Sequence, residues 1–241
     1  ALCASSSQAS ATPQIQHWQG ASGAKVLFVE DHDIPMLDVA VSVPAGSSFD
    51  SAQKSGVAGL THHLLDLGSQ GLSEDDTARG MADLGAQLGG SFDQDRASIS
   101  LRTLSQQAVR AKALAMMAQV LQHPLYSADI LAREKTRVIA GLKEAETKPE
   151  NIADKAFQKA VYGAHPYAQS VSGEVATVAA ITAQDLQNFY RSHYNARRAV
   201  VAIMGDVTRA EAEAMAEQLT GELPKSDAVV AQPLVAKSIA A

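Results

Sequence analysis

Cysteine is almost absent from this chain of 241 residues, which contains a single one, Cys3. A disulfide within the chain needs a second cysteine, and so does a structural zinc site built on thiolates. Both are therefore excluded. Hydrophobic residues make up 46% of the chain, so its stability can come from a buried core instead.

The chain also lacks runs of basic residues and long hydrophobic runs. Its formal net charge is −6, and no cluster of lysine or arginine offers a surface for phosphate groups. This argues against nucleic acid and anionic membranes as partners. No apolar stretch approaches the roughly 18 residues that cross a bilayer, so we predict no transmembrane segment.

Residues 1–14 are rich in serine and alanine and carry no charged side chain. Two interpretations stay open: a flexible tail, or the remnant of a secretory signal in which residues 9–11 (ASA) form an A-x-A cleavage pattern. The second interpretation predicts a periplasmic or otherwise exported protein. A lipid anchor at Cys3 is a weaker alternative, because Leu2 is larger than the residue usually found before such a cysteine.

Local patterns predict both strands and helices after this stretch. Residues 25–30 (KVLFVE) and 36–43 (MLDVAVSV) are rich in β-branched residues, which is typical of strands. Ser73, Thr182 and Thr208 each stand at the start of a helical pattern, where a hydroxyl side chain can cap the first turn.

Strands, helices, a strand, long helices and a final strand and helix follow one another, without regular βαβ alternation. This order predicts an α+β fold with a mainly antiparallel sheet and helices packed on one face. We predict one such domain over residues 15–224. Residues 225–241 lose periodicity, which predicts a linker or tail toward a second domain.

The stretch GLTHHLLDLGS, residues 59–69, resembles a zinc-binding helix that has lost its metal-binding residues. The inverted motif H-x-x-E-H puts two imidazoles one helical turn apart and adds a glutamate that accepts a proton from metal-bound water. Aligned on His62, the motif places Leu65 at the glutamate and Asp66 at the second histidine. Leu65 cannot act as a base, so we predict no catalytic residue in this chain.

Five longer stretches carry a family resemblance. They are VPAGSSFDSAQKSGVAGLTHHLLDLGS, LGAQLGGSFDQDRASISL, RVIAGLKEAETKPEN, YGAHPYAQSVSGEVATVAAITAQDLQNFYRSHYNARRAVVAIMGDV and AEQLTGELP, within residues 25–224. Together they resemble an N-terminal-type domain of the pitrilysin/insulinase family of zinc metallopeptidases, of the mitochondrial processing peptidase type. The resemblance implies that family's metallohydrolase fold and zinc as its cofactor. It places the family's third zinc ligand, a glutamate, at Gly141.

The resemblance therefore implies an inactive member, with no metal bound by this chain. Such a domain is expected to pair with an active subunit that carries H-x-x-E-H and to help enclose peptide substrates. Two alternatives stay open. One is a zinc endopeptidase with the atypical ligands His62, Asp66 and Glu144, assisted by His63. The other is a structural or peptide-binding protein that has left proteolysis.

The glycine pair in GGSFD suggests a peptide-binding edge. In the resembled family, the matching strand receives an extended peptide through main-chain hydrogen bonds. This predicts peptide contacts at Gly89, Gly90, Ser91 and Phe92, where the absence of two side chains permits close approach. The alternative is a bend in the sheet that glycine relieves, without a ligand.

Overall fold

A computed structural model describes residues 14–225 and contains eight strands and eight α-helices in that range. The strands are β1 Gln16–Gln19, β2 Lys25–Glu30, β3 Met36–Val43, β4 Gly68–Ser69, β5 Leu72–Ser73, β6 Gln87–Phe92, β7 Ala97–Leu104 and β8 Val200–Gly205. The helices are α1 Val57–His63, α2 Glu74–Asp83, α3 Gln107–Gln122, α4 Ala128–Ala145, α5 Pro149–Tyr162, α6 Val175–Ala180, α7 Ala183–His193 and α8 Arg209–Thr220. Apart from one residue at each boundary, the predicted N-terminal tail or signal remnant and the predicted linker lie outside the described residues.

Six strands form one sheet in the order β1-β2-β8-β3-β7-β6. Only β2 and β8 run parallel, and the other neighbouring pairs are antiparallel. The last strand of the described chain thus inserts between β2 and β3. β4 and β5 form a separate two-stranded ribbon.

Alternation along the strands separates the two faces of the sheet. In β3, every second side chain from Leu37 to Val43 is buried, and these side chains join the core to which α3 and α8 also contribute. The intervening residues point to the opposite face, where Asp38 pairs with Arg102 at 2.7 Å. The predicted α+β fold, mainly antiparallel with helices on one face, is confirmed.

The predicted helix starts are confirmed at their caps. The hydroxyl oxygens of Ser73, Thr182 and Thr208 each accept a hydrogen bond from the backbone N–H three residues later. These caps satisfy backbone donors that the first turn of a helix cannot pair internally. Within residues 14–225, no helix is long and apolar enough to cross a membrane.

Strand β6 lies at one edge of the sheet. Among the described strands it pairs only with β7, in a register that sets Gly90 opposite Ile99. Ile99 is buried, so its side chain faces the helical side of the sheet. Gly90 lies directly opposite Ile99 and therefore faces the same side, as do Leu88 and Phe92, two residues before and after it. This is the side on which α1 lies.

Candidate functional site

A buried carboxylate outside helix α1 holds the start of that helix. Asp50 accepts hydrogen bonds from the backbone N–H groups of Gly56 and Ala58, at 2.7 and 2.9 Å. Gly56 is the N-cap and has a φ of 97°, which favours glycine. A Cβ at Gly56 would also lie 3.1 Å from the carbonyl oxygen of Ser172. These contacts fix the position of α1 and of the histidines at its far end.

The side chain of His62, in the last turn of α1, lies against the edge strand β6. Its ring stacks on Phe92 of β6, with ring centroids 5.7 Å apart and an interplanar angle of 15°. A Cβ on Gly90 would come within 3.0 Å of the imidazole Cε1 atom and 2.3 Å of the carbonyl oxygen of Ser98. Glycine at position 90 is therefore what allows the histidine to approach β6.

The imidazole of His62 is held in its neutral form. Burial, with a smaller contribution from the neighbouring His63, lowers the pKa of His62 to about 4. Its Nδ1 atom is buried and has no hydrogen-bond partner among residues 14–225. A neutral ring with a free nitrogen could donate an electron pair to a metal ion, but a metal site needs further donors.

Leu65 and Asp66, at the next two positions of the motif, add few of the further donors that a metal ion would need. Leu65 is 3% exposed and belongs to the hydrophobic core, so it offers neither a ligand nor a base. Asp66 lies at the exposed rim, where desolvation raises the pKa of its carboxyl group against the opposing effects of its own backbone N–H and of His63. Helix α1 ends at His63 with Leu64 as its C-cap, so Leu65 and Asp66 follow the helix and do not extend the His62 face as an i, i+4 motif would. His62 and Asp66 are the two positions of the motif that carry donor side chains.

The structure does not bring Glu144 to these two residues. Glu144 is exposed on α4 and pairs with Lys148 at 2.9 Å. Gly141, one turn earlier, has no side chain, and a Cβ there would meet nothing within 4 Å. In residues 14–225, no three His, Cys, Asp or Glu side chains form a group that could hold a metal ion. The alternative ligand set thus lacks its third member, and the residues present do not fit a catalytic zinc.

A pocket of about 380 Å³ opens beside His62. Its lining combines α1, β6, α4, Ile99 of β7 and the loop after Ala168, and most of the side chains are apolar. The lining residues are Gly56, Gly59, Leu60, His62, His63, Leu65, Asp66, Leu88, Gly89, Ile99, Phe92, Val138, Val171 and Ser172. Of the predicted peptide-binding residues, Gly89 and Phe92 line it, and Gly90 contacts His62. This mostly apolar lining can accommodate an apolar group.

Residues 25–175 match the family model described as insulinase, peptidase family M16. The chain belongs to this family. Residues 180–239 match a second model, described as the peptidase M16 inactive domain. The predicted family is therefore confirmed.

Relatives of this M16 chain are longer than the chain itself. It is 24% identical over 215 residues to the probable mitochondrial-processing peptidase subunit beta of Arabidopsis thaliana, covering 89% of this chain and 40% of that protein. It is 20% identical over 194 residues to the uncharacterized zinc protease YmxG of Bacillus subtilis, covering 80% and 47%. The chain thus spans less than half the length of these relatives.

Solved structures show the same fold. An M16 inactive domain from Pseudomonas fluorescens is 39% identical with a TM-score of 0.87, over 91% of this chain and 54% of that one. Pitrilysin is 23% identical with a TM-score of 0.79, over 92% of this chain and 24% of its own. The second likeness is one of fold alone.

Sequence reasoning missed a carboxylate that contacts the M16 helix α1. Glu134 of α4 is 1% exposed, and its Oε2 atom lies 2.9 Å from Nε2 of His63. Arg133 and Arg137 also bond to it. Burial opposes its ionisation, but hydrogen bonds from His63 and Arg133 and the charge of Arg137 keep the pKa of Glu134 below its usual range. This network ties α1 to α4 beside the pocket and engages the Nε2 atom of His63.

Proposed function

We propose that this chain is a non-catalytic M16 domain that binds peptides along the edge of β6 and works beside an active subunit carrying H-x-x-E-H. The observation that carries the proposal is Leu65, which is 3% exposed where the catalytic base would stand. A buried aliphatic side chain cannot accept a proton from metal-bound water. With glycine at position 141, the chain lacks both the base and a third ligand.

The peptide-binding part of the proposal rests on the edge of the sheet. β6 pairs with β7 alone among the described strands, so its other edge offers backbone donors and acceptors to an added strand. Gly89, Gly90, Ser91 and Phe92 all belong to this strand. If these residues formed only a bend in the sheet, no peptide would pair there.

Two relatives that are subunits of larger assemblies support the proposal that this chain works beside an active subunit. One relative is by name a subunit of the mitochondrial-processing peptidase. Another, 24% identical over 193 residues, is subunit 1 of the bovine cytochrome b-c1 complex, and it favours the alternative of a structural role. The two roles differ in their effect on an active M16 subunit. A non-catalytic partner should raise peptide hydrolysis when it is added to that subunit, whereas a structural protein should not.

An exported location stays part of the proposal. Its basis is the signal-like pattern at residues 9–11, which lie outside the described part of the chain. The periplasmic protease PqqL of Escherichia coli shares the fold, with 16% identity and a TM-score of 0.80 over 95% of this chain. At that identity the likeness concerns the fold only.

The first test is metal content. We expect the purified chain, incubated with zinc and then dialysed, to retain zinc only near background. The double variant Asp66→His, Gly141→Glu should restore a set of three ligands with His62 and retain about one zinc per chain. Elemental analysis measures both. Leu65 is left unchanged because a base is not needed for binding.

The matched control is Asp66→His, Gly141→Gln, which has the same shape but lacks the third carboxylate, and it should lose most of the zinc. Near-stoichiometric zinc in the unchanged chain that disappears in His62→Ala, Asp66→Ala would contradict the proposal and favour the atypical zinc peptidase. If the glutamate variant gained no zinc, positions 66 and 141 would not be the family's ligand positions.

A further inference from the structure

Helix α5, Pro149–Tyr162, is amphipathic, but its apolar side does not pack on the rest of the domain. A helix with apolar residues along one side normally turns that side toward a core. Within the described residues 14–225, α5 has no buried residue, whereas α3 and α8 each bury several. Phe157 is 62% exposed and Val161 is 47% exposed. The apolar residues of α5 therefore remain in contact with solvent.

The polar side of α5 is the side that contacts the domain. Lys155 pairs with Glu174 at 2.7 Å, and the ring of Tyr162 lies 5.6 Å from the ring of Tyr167 at an angle of 80°. The residues of this side recur at intervals of three or four positions and so share one face of the helix. They are Asn151, Lys155, Gln158 and Tyr162. The helix is thus turned with its polar face inward.

The apolar residues of α5 lie on the opposite face, which we call the α5 stripe. It consists of Ala153, Ala156, Phe157, Ala160 and Val161, at the i, i+3, i+4, i+7 and i+8 positions that form one side of a helix. All five residues are exposed. The centre of the α5 stripe lies roughly 160° around the helix from the centre of the polar face, since each residue advances by about 100°. An apolar face that points away from its own domain marks an interaction surface.

Charged residues of opposite sign border the α5 stripe on its two sides. The helical positions of Glu150 and Asp154 place both carboxylates along one side of the stripe. The positions of Lys155 and Lys159 place both ammonium groups along the other side. The stripe therefore has an acidic border and a basic border, and this pattern determines how two copies of it could fit together.

Two copies of the α5 stripe are complementary in one orientation. A two-fold axis parallel to the helix sets the acidic border of each α5 opposite the basic border of the other. A two-fold axis perpendicular to the helix would make the two helices antiparallel and set acid against acid. In the parallel orientation, residues of the same number face each other, so the two Phe157 rings meet. The three alanines of the stripe allow the helices to approach closely.

We propose that the α5 stripe is a dimer surface on which a second copy of this chain docks, with the two α5 helices parallel. This inference does not depend on the proposed function. The helix has 14 residues and is about 21 Å long, so one helix pair buries less than the roughly 1,200 Å² of total surface at the lower limit of stable interfaces. The dimer should therefore be weak, with a dissociation constant on the order of 10–100 µM.

Sedimentation velocity of the whole chain between about 1 and 300 µM tests for this dimer, because mass action makes its population depend on concentration. The weight-average sedimentation coefficient should rise across this range. Phe157→Glu places a charge in the centre of the stripe and should raise the dissociation constant at least about tenfold. Ile34→Glu is the matched control, since Ile34 is 61% exposed between β2 and β3, and it should leave the constant unchanged. Circular dichroism checks that both variants fold.

An exchange of charges between the two borders tests the orientation of the helices. Lys159→Glu and Asp154→Lys each place like charges across the parallel interface, so each variant alone should dimerise roughly three- to tenfold more weakly. An equimolar mixture of the two variants should regain the dimer, because each altered border then faces a border of complementary charge.

Three results would contradict this inference. A chain that stays monomeric up to about 300 µM would overturn the dimer and leave the α5 stripe to a different partner, such as the active subunit proposed above. An equal loss of the dimer in Ile34→Glu and Phe157→Glu would place the interface outside the stripe. A stronger dimer of Asp154→Lys alone would exclude the parallel orientation, because that change makes the acidic border complementary to its own copy in an antiparallel pair.

Discussion

Replacing Asp50 with alanine is expected to lower the free energy of unfolding by about 2–6 kcal/mol, since two buried donors lose their acceptor at about 1–3 kcal/mol each. Asp50 is 6% exposed, and its two oxygens accept from the N–H groups of Gly56 and Ala58. Both of those residues are buried, so water cannot readily replace the carboxylate. Urea unfolding followed by far-UV circular dichroism measures the change.

Asp83→Ala is the control for the loss of one carboxylate. Asp83 is exposed in the last turn of α2, where a negative charge faces the negative end of the helix dipole. Its removal should leave stability unchanged or slightly raised. If Asp50→Ala behaved in the same way, Asp50 would not be what holds α1.

The raised pKa of Asp50 predicts the direction in which the stability of the fold changes with pH. Burial raises its pKa from 3.8 to about 7, against the opposing hydrogen bonds from Ala58 and Gly56. In the unfolded chain the carboxyl group loses its proton at lower pH than in the folded chain. The stabilising contribution is therefore complete below about pH 3.8 and is lost as the pH rises through about 7.

Asp50→Asn stays neutral at every pH and provides the reference. The stability of the unchanged chain relative to this variant should fall between about pH 4 and pH 7, as the linkage of folding to protonation requires. Unfolding in urea at several pH values gives the difference directly. A difference that rose with pH would mean that the two backbone donors outweigh burial and that the carboxylate is the preferred form.

Local elements of this fold could be predicted because their causes are local. Strands β2 and β3 occupy residues 25–30 and 36–43, the two stretches that β-branched residues indicated. The caps at Ser73, Thr182 and Thr208 depend on a side chain and a backbone group three residues apart. The insertion of β8 between β2 and β3 depends on contacts between distant parts of the chain, which periodicity does not encode.

In the candidate site, too, some features could be predicted from the sequence and others depend on contacts between distant residues. The family resemblance indicated His62 and Phe92, and the fold brings their rings together. It did not indicate that Glu134, in a helix rich in charged residues, would be the carboxylate that contacts His63. Which acidic residue of an amphipathic helix turns inward depends on the neighbours it meets, and for Glu134 these are His63 and two arginines rather than water.

Gly205 gives the second large prediction: alanine there is expected to destabilise the fold by about 3 kcal/mol or more, since an unfavourable φ and a clash with backbone occur together. Gly205 ends β8, has a φ of 140°, and lies between Glu30 of β2 and Leu37 of β3. A Cβ would come within 2.1 Å of the carbonyl oxygen of Met36. The yield of folded protein and its urea midpoint measure the effect.

Gly141→Ala is the matched control, because the same methyl group is added where it meets nothing within 4 Å. In the interior of α4 this change should stabilise the chain by about 0.5–1 kcal/mol. The two substitutions should have opposite signs because Gly205 has a positive φ and is enclosed by two strands, whereas Gly141 is helical and open. An unchanged urea midpoint for Gly205→Ala would contradict this prediction. It would show that β8 can move away from β3 to make room for the methyl group, and that this part of the sheet is not rigid.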